Sequence, residues 1–292
     1  MKKFDKKELI EGYVTVDPLP STEDLEKYYT EKYYQAPQSS SYQLDYPPIE
    51  YEYKRLKYNV ILHAAKQNGI SRGDFLDIGA GEGFFMKAAH NQGYSVKGID
   101  FSSFGVEKFH PELVSMLHAG DSYKLIDAFA SKEIKFDLCS SVNVLEHVID
   151  PNLFLEKVKT VMKPNGILSI TVPNDFSSIQ KFLLKENMID REFWFAPPDH
   201  LQYFNTKNLP EYLESRGFSV IDAFSDFPID LFLLHPGSNY VMDGKNGPSA
   251  HKARMMLDLL IAENGFDKYL NYYRAMFQVG LGRDITVLLK IK

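Results

Sequence analysis

The stretch "FLDIGAGEGFF", Phe75 to Phe85, carries an aspartate in a short apolar run and glycines at alternate positions behind it, Gly79, Gly81 and Gly83. The run reads as a buried strand, and "GFFMKAAHNQG" as a helix closed by Gly93. A glycine-rich turn between strand and helix usually offers backbone N–H groups to an anion. Two phosphate-binding patterns nevertheless fail. The dinucleotide fingerprint needs its third glycine three places after the second, where this chain has Phe84. The P-loop needs a lysine followed by serine or threonine, and none closes this turn. Asp77 would face an incoming phosphate at close range and repel it in a partly dehydrated site. A cationic ligand would instead be attracted. S-adenosylmethionine, with a sulfonium, an ammonium and no phosphate, meets that condition, and bare glycines let the backbone pass against its amino-acid moiety and ribose.

Before this loop, "EYKRLKYNVILHAAKQNG" sets Tyr53, Leu56, Val60 and Ala64 at helical spacing and ends at Gly69. Beyond it, "YSVKGID", "LVSMLHAGD", "KFDLCSSV" and "ILSITVP" read as strands. Between them lie helices over "SSFGVEKF", "SYKLIDAFAS" and "PNLFLEKVKTVM", the last capped by Asp150 and opened by Pro151. Strands alternating with helices, without hairpin turns, imply right-handed crossovers and a parallel sheet covered on both faces. The fold class is therefore α/β, a doubly wound Rossmann-like sheet, whose ligands bind beyond the carboxyl ends of the strands. There stands Asp100, 23 residues after Asp77, about where a carboxylate accepts hydrogen bonds from ribose hydroxyls. Asp121, with Ser122 beside it, stands ready for an adenine amino group.

After residue 174 the rhythm changes to a helix over "FSSIQKFLLKENM", an aromatic loop "REFWFAPPDHLQYF" and a helix "NTKNLPEYLESRGF" capped by Thr206. "FSVIDAFSD" and the terminal "DITVLLKIK" read as the sixth and seventh strands, with helices "SAHKARMMLDLLIAE" and "FDKYLNYYRAMF" between them. The chain thus divides into a tyrosine-rich N-terminal extension (1–51), a ligand-binding core (52–229), a helical insertion (230–282) and a last core strand (283–292). The extension reads as a wrapping segment or as a lid over the ligand.

Composition bounds the partners. The 292 residues hold 33 Lys and Arg against 39 Asp and Glu, a net charge of −6, which argues against a broad nucleic-acid or anionic-membrane footprint. Cys139 is the single cysteine, so neither an intrachain disulfide nor a cysteine zinc cluster forms, and a reducing compartment fits. The N-terminal "MKKFDKKELIEGYV" lacks the apolar core of a signal peptide, and no apolar run approaches bilayer length. A cytoplasmic protein with a small-molecule partner is expected.

The segments "FLDIGAGEGFF", "VKGIDFS", "HAGD" and "FDLCSSVNVLEHVIDP" together resemble the class I S-adenosylmethionine-dependent methyltransferases, in the branch of ubiquinone-biosynthesis O-methyltransferases and of sugar and small-molecule methyltransferases. The resemblance covers roughly residues 50 to 225. It implies a seven-stranded sheet whose last strand runs antiparallel between the fifth and sixth. It also implies that Asp77, Gly79, Ala80 and Gly81 line the methionine part, that Asp100 holds the ribose and Phe101 borders the adenine. Asp121 and Ser122 would serve the adenine amino group, and Ser141 to Asn143 would run past the cofactor.

Methyl transfer to a weakly acidic hydroxyl needs alignment and a base. "NVLEHV" offers Glu146 and His147, and the aromatic loop offers His200 and Tyr203. The alternatives are a histidine bonded to a nearby carbonyl, a glutamate serving a helix N-terminus, and an Asp199–His200 pair that only pins its loop. One subset of the family binds a divalent metal through Glu-x-x-Glu-His at this place. Here the first position is Asn143, a poorer ligand for a hard cation. A metal-free site is expected, with Glu146, His147 and His200 as the alternative metal set. Arg55 could reach the cofactor carboxylate, or stand solvated on its helix. Met255, Met256 and Leu260 form an apolar stripe that suits core, or a homodimer face.

The expected activity is methyl transfer from S-adenosylmethionine to a small-molecule acceptor, with S-adenosylhomocysteine as product. A hydroxyl of a sugar, nucleotide sugar or glycan intermediate is the acceptor of choice. The alternative is an inactive, cofactor-binding partner or regulatory protein; a nicotinamide dehydrogenase is disfavoured by Phe84 and Asp77.

Overall fold

The computed structural model describes residues 4–21, 23–25 and 45–292. Most of the tyrosine-rich stretch, residues 26–44, and with it the expected lid, lies outside the described residues. Ten strands are described: β1 (Asp5–Glu8), β2 (Val14–Asp17), β3 (Asp74–Ile78), β4 (Ser95–Asp100), β5 (Leu117–Ala119), β6 (Phe136–Val142), β7 (Met162–Pro173), β8 (Gln202–Tyr203), β9 (Phe218–Ser225) and β10 (Asp284–Ile291). The helices are α1 (Pro48–Gln67), α2 (Phe84–Asn91), α3 (Phe104–Phe109), α4 (Ser122–Ser131), α5 (Pro151–Val161), α6 (Ser178–Lys185), α7 (Asn208–Ser215), α8 (Gly247–Ala262) and α9 (Phe266–Gln278).

The main sheet is seven-stranded in the order β5-β4-β3-β6-β7-β10-β9. β3 pairs parallel with both β4 and β6, and β10 runs antiparallel between β7 and β9. Chain order reverses between β3 and β6, so a cleft opens at their carboxyl ends. The strands are apolar because both faces are covered. One face packs Leu56, Val60 and Ala64 of α1, Phe85 of α2 and Leu270 of α9. The other packs Ile126 of α4, Leu155 and Val158 of α5 and Leu209 of α7.

Local chemistry explains the helix starts. Asp150 accepts from the N–H groups of Asn152 and Leu153, with Pro151 next, as expected. Ser177 and Gln180 form a reciprocal capping box at α6. Three expectations are corrected. Residues Pro111–Met116 form a 3-10 turn, leaving only Leu117–Ala119 as strand, because Pro111 suits a first turn and lacks a ladder donor. Thr206 does not cap α7; the Asn205 side chain accepts from the N–H groups of Lys207 and Asn208. Part of the aromatic loop is strand, since β8 joins β2, which pairs with β1, in a separate three-stranded sheet. Among the described residues no helix is long and apolar enough to cross a membrane.

Candidate active site

A cavity of about 360 Å³ opens at the carboxyl ends of β3, β4 and β6. Gly79 and Gly81 have φ of 77° and 55°, which glycine adopts without the Cβ clash. A Cβ on Gly79 would come within 2.4 Å of Val144 Cγ2, whereas one on Gly81 would meet nothing within 4 Å. Gly81 therefore leaves open space on the cavity wall.

Among the described residues the charged groups of this wall are mostly acidic: Asp77, Glu82 and Asp100 line it, with His147 and no lysine or arginine. Asp77 is buried and accepts a 2.5 Å hydrogen bond from Ser140 Oγ. Burial pushes its carboxyl up to about 7, and nearby Asp100 adds to the rise while Ser140 offsets part of it. Asp100 accepts from the N–H groups of Gly81 and Ser102, and burial raises its carboxyl despite these donors. Glu82 is held by the Tyr46 hydroxyl and Lys54. A cation entering this cavity meets Asp77 and Asp100, which among the described residues have no cationic side chain hydrogen-bonded to them, and a phosphate meets repulsion.

Beyond β6 the chain makes a 3-10 turn, Leu145–His147, that folds against the aromatic loop. His147 Nδ1 lies 2.6 Å from the Asp199 carbonyl oxygen. A carbonyl only accepts, so Nδ1 carries the proton and Nε2 keeps the lone pair of the neutral ring. Burial, aided by His200, lowers His147 to about 4. Glu146 is buried with neither carboxyl oxygen hydrogen-bonded, and burial pushes it up to about 8. The His200 ring stands edge-on to His147 at 4.9 Å between centroids. Its Nδ1 lies 3.8 Å from Asp175 Oδ2; burial lowers the ring's pKa, but Asp175 and Glu146 more than restore it. Asp175 is in turn gripped by Arg283 at 2.7 Å. Among the described residues Glu146, His147 and His200 offer ligand atoms within 4.8 Å of one another.

A family model described as a methyltransferase domain matches residues 49–223. The chain belongs to that family. This methyltransferase is 26% identical over 155 residues to the ubiquinone biosynthesis O-methyltransferase of Bartonella tribocorum, covering 50% of this chain and 60% of that protein. It is 36% identical over 106 residues to the protein of the same name from Chelativorans sp., covering 34% and 40%. The chain thus spans 60% and 40% of the length of these two curated relatives. Similar solved structures include a SAM dependent methyltransferase from Archaeoglobus fulgidus, with TM-score 0.48, 18% identity and coverage of 81% of this chain and 94% of that one. Another is magnesium protoporphyrin IX methyltransferase from Synechocystis PCC 6803 with bound SAH, with TM-score 0.49, 13% identity and coverage of 70% and 92%.

S-adenosylmethionine, the cofactor expected of a class I methyltransferase, is a group that the cavity's residues fit. The acidic wall suits two cationic centres, and the open space over Gly81 admits the ligand against bare backbone. The cavity gathers Asp77, Gly79, Ala80, Gly81, Asp100, Phe101, Ser122, Asn143 and His147 from the expected set. Phe101 is 58% exposed, an aromatic face open at the rim. Outside the lining are Asp121, which caps α4 by accepting from Lys124 N–H, and Ser141, fully buried with its hydroxyl unpaired. Arg55, on α1, is likewise outside the lining. Tyr203 is buried away from the cavity, its hydroxyl donating to the His200 carbonyl and accepting from Ala196 N–H, so it pins the loop. Sequence reasoning missed Tyr58, Glu82, Tyr123 and Phe154, which line the cavity from α1, the glycine loop, α4 and α5. Only Glu82, inside the glycine loop, carried a local signal.

Proposed function

We propose that the protein transfers a methyl group from S-adenosylmethionine to a hydroxyl of a small molecule, with a sugar or glycan-biosynthesis intermediate as acceptor. The bound sulfonium supplies an activated methyl carbon. The chain's own residues bind, orient and take the proton. Asp100 accepts from the ribose hydroxyls, the glycine loop and Asp77 hold the cationic amino-acid end, and Phe101 and Ser122 border the adenine. His147 Nε2 takes the acceptor proton as the oxygen attacks the methyl carbon. The sulfonium would take up the carbon–sulfur bonding pair, which would give S-adenosylhomocysteine.

One observation carries the assignment of the base: His147 lines the cavity with Nδ1 fixed on the Asp199 carbonyl, which leaves the lone pair on Nε2. His200, Asp175 and Arg283 stand behind it as a positioning chain. Relatives named O-methyltransferases support oxygen as the acceptor atom. We further infer a cytoplasmic protein, from its single cysteine and acidic balance. Its proposed division falls at residues 52, 230 and 283, as read from the sequence.

The test is mass-spectrometric detection of S-adenosylhomocysteine and a methylated product across sugars, nucleotide sugars and phenols. Cofactor binding with no turnover on any acceptor favours the inactive partner instead. A second reading is favoured by the approach of Glu146, His147 and His200 and by Glu146's two unpaired oxygens. These groups would hold a divalent cation, which acidifies an acceptor hydroxyl. Dialysis against a chelator followed by metal analysis and assay separates the two; unchanged turnover in metal-free protein leaves the imidazole as base.

A further inference from the structure

A second cavity of about 230 Å³ lies beside the first and shares Tyr58, Val142 and Asn143 with it. Its floor is the carboxyl edge of the sheet, where Thr171 and Thr286 bond to each other and Ser225 ends β9 ahead of Asp226. Its walls are α1, with Tyr53 and Lys57, and the inserted helix α8, with His251 and Arg254. Two features point to a ligand. Three cations, Lys54, Lys57 and Arg254, face three carboxylates, Glu50, Asp226 and Asp284, so the chamber is balanced in charge. Each cation is already engaged: Lys54 with Glu82, Lys57 with Asp284 at 3.0 Å, and Arg254 with His251 and the Tyr53 ring. Hydrogen-bonding capacity is nonetheless left over. The Tyr53 hydroxyl, 3% exposed as a residue, has no hydrogen-bond partner, and neither Arg254 Nε nor Asp226 Oδ2, which lies 3.5 Å from Lys57 Nζ, makes a hydrogen bond.

Buried groups left in this condition cost stability unless something binds them. A charged ligand would have to break an existing pair. A neutral ligand rich in hydroxyls would not, because each hydroxyl donates to a carboxylate and accepts from a guanidinium or phenol. The rings of Tyr53, Tyr269 and Phe224 add apolar faces to the same chamber. We propose that this second cavity is the acceptor chamber and takes an uncharged polyhydroxylated ring, a pyranose, whose reacting hydroxyl passes Asn143 into the cofactor cavity. The helical insertion before β10 is then the element that selects the acceptor, through Arg254. This inference rests on the methyltransferase reading above.

The experiment is saturation-transfer difference NMR on the full chain with saturating S-adenosylhomocysteine. The probes are methyl α-D-glucopyranoside, methyl α-D-mannopyranoside and methyl α-L-rhamnopyranoside, with cyclohexanol and glucuronate as controls. A neutral pyranoside should give signal where cyclohexanol and glucuronate do not. Tyr53→Phe, which removes only an unpartnered hydroxyl, and Arg254→Met should each weaken its titrated Kd at least threefold. Calorimetric affinity for S-adenosylhomocysteine should stay the same, which also reports that each variant is folded. No pyranoside signal in protein that binds S-adenosylhomocysteine, or signal indifferent to both variants, overturns the chamber and leaves the methyltransferase reading standing. Failure of the folded wild type to bind S-adenosylhomocysteine sinks that reading, and the chamber with it.

Discussion

His147 Nε2 lies 3.8 Å from Glu146 Oε1, yet the two do not form an ion pair at neutral pH. Burial drives them in opposite directions, Glu146 up to about 8 and His147 down to about 4. The pair therefore stands as a neutral acid beside a neutral imidazole. Neither group adds charge to the acidic cavity that His147 lines, and the imidazole keeps a lone pair for an incoming hydroxyl.

If that lone pair takes the acceptor proton, His147→Ala lowers kcat by about 10²- to 10⁴-fold, the usual contribution of a positioned base. In that role its affinity for S-adenosylmethionine stays within about twofold. Steady-state kinetics paired with calorimetry check both halves, and an unaffected kcat would return His147 to a loop-anchoring role.

Asp100→Ala should weaken cofactor binding by about 2 kcal/mol, close to thirtyfold, because a buried charged acceptor is lost to the ribose. The substitution also releases the N–H groups of Gly81 and Ser102, which Asp100 now holds. Asp100→Asn keeps one oxygen for those donors and should fall between. Equal affinity in all three proteins would remove Asp100 from the ribose site.

The strand and helix alternation, the glycine loop and Asp100 were legible because each is local: period, turn chemistry and a carboxylate at a strand end sit within a few residues. What escaped is long-range or cryptic. β1, "DKKE", is exposed at every position and has no apolar alternation to read, and it exists through its pairing with β2. Asp175 and Arg283 are 108 residues apart, and only the antiparallel return of β10 beside β7 brings them together. Asp121 had two chemically reasonable uses, cap or ligand, and its carboxylate accepts from Lys124 N–H. Asn205 and Thr206 are both acceptable caps, and backbone geometry decided between neighbours.

The two loop glycines should respond differently to alanine. Gly79→Ala adds a Cβ 2.4 Å from Val144 Cγ2 on a backbone with φ of 77°, and should cost about 2–3 kcal/mol of stability. Gly81→Ala meets only open cavity, so its cost is about 1 kcal/mol from the left-handed backbone while cofactor affinity falls. Denaturant unfolding and cofactor titration of both variants check the contrast; cofactor affinity untouched in Gly81→Ala would move the ligand away from this backbone.

Asp175→Ala leaves Arg283 facing Asp230 and Gln180's neighbourhood without its closest carboxylate, and should destabilise by about 3 kcal/mol, as broken buried pairs do. The double variant Asp175→Ala/Arg283→Met should recover part of that loss, because no unpaired cation remains. Full additivity in denaturant unfolding would mean that the 2.7 Å contact contributes no coupling.

The last prediction concerns pH and Asp77. Its carboxyl is raised to about 7 in the folded protein, above the roughly 3.9 of an unfolded chain. The folded state therefore binds the extra proton between those values. This group's contribution to stability is present at low pH, declines as pH rises through that window, and is flat above about 7. A cationic cofactor has the opposite preference, since it needs Asp77 ionised. Affinity for S-adenosylmethionine should rise about fivefold from pH 6 to pH 7, reach about tenfold by pH 8 and then level, so ligand-induced thermal stabilisation is larger at pH 8 than at pH 6. Asp77→Asn should flatten the profile and bind more weakly throughout. A wild-type affinity independent of pH over this range would mean that Asp77 does not face the cofactor's cationic end.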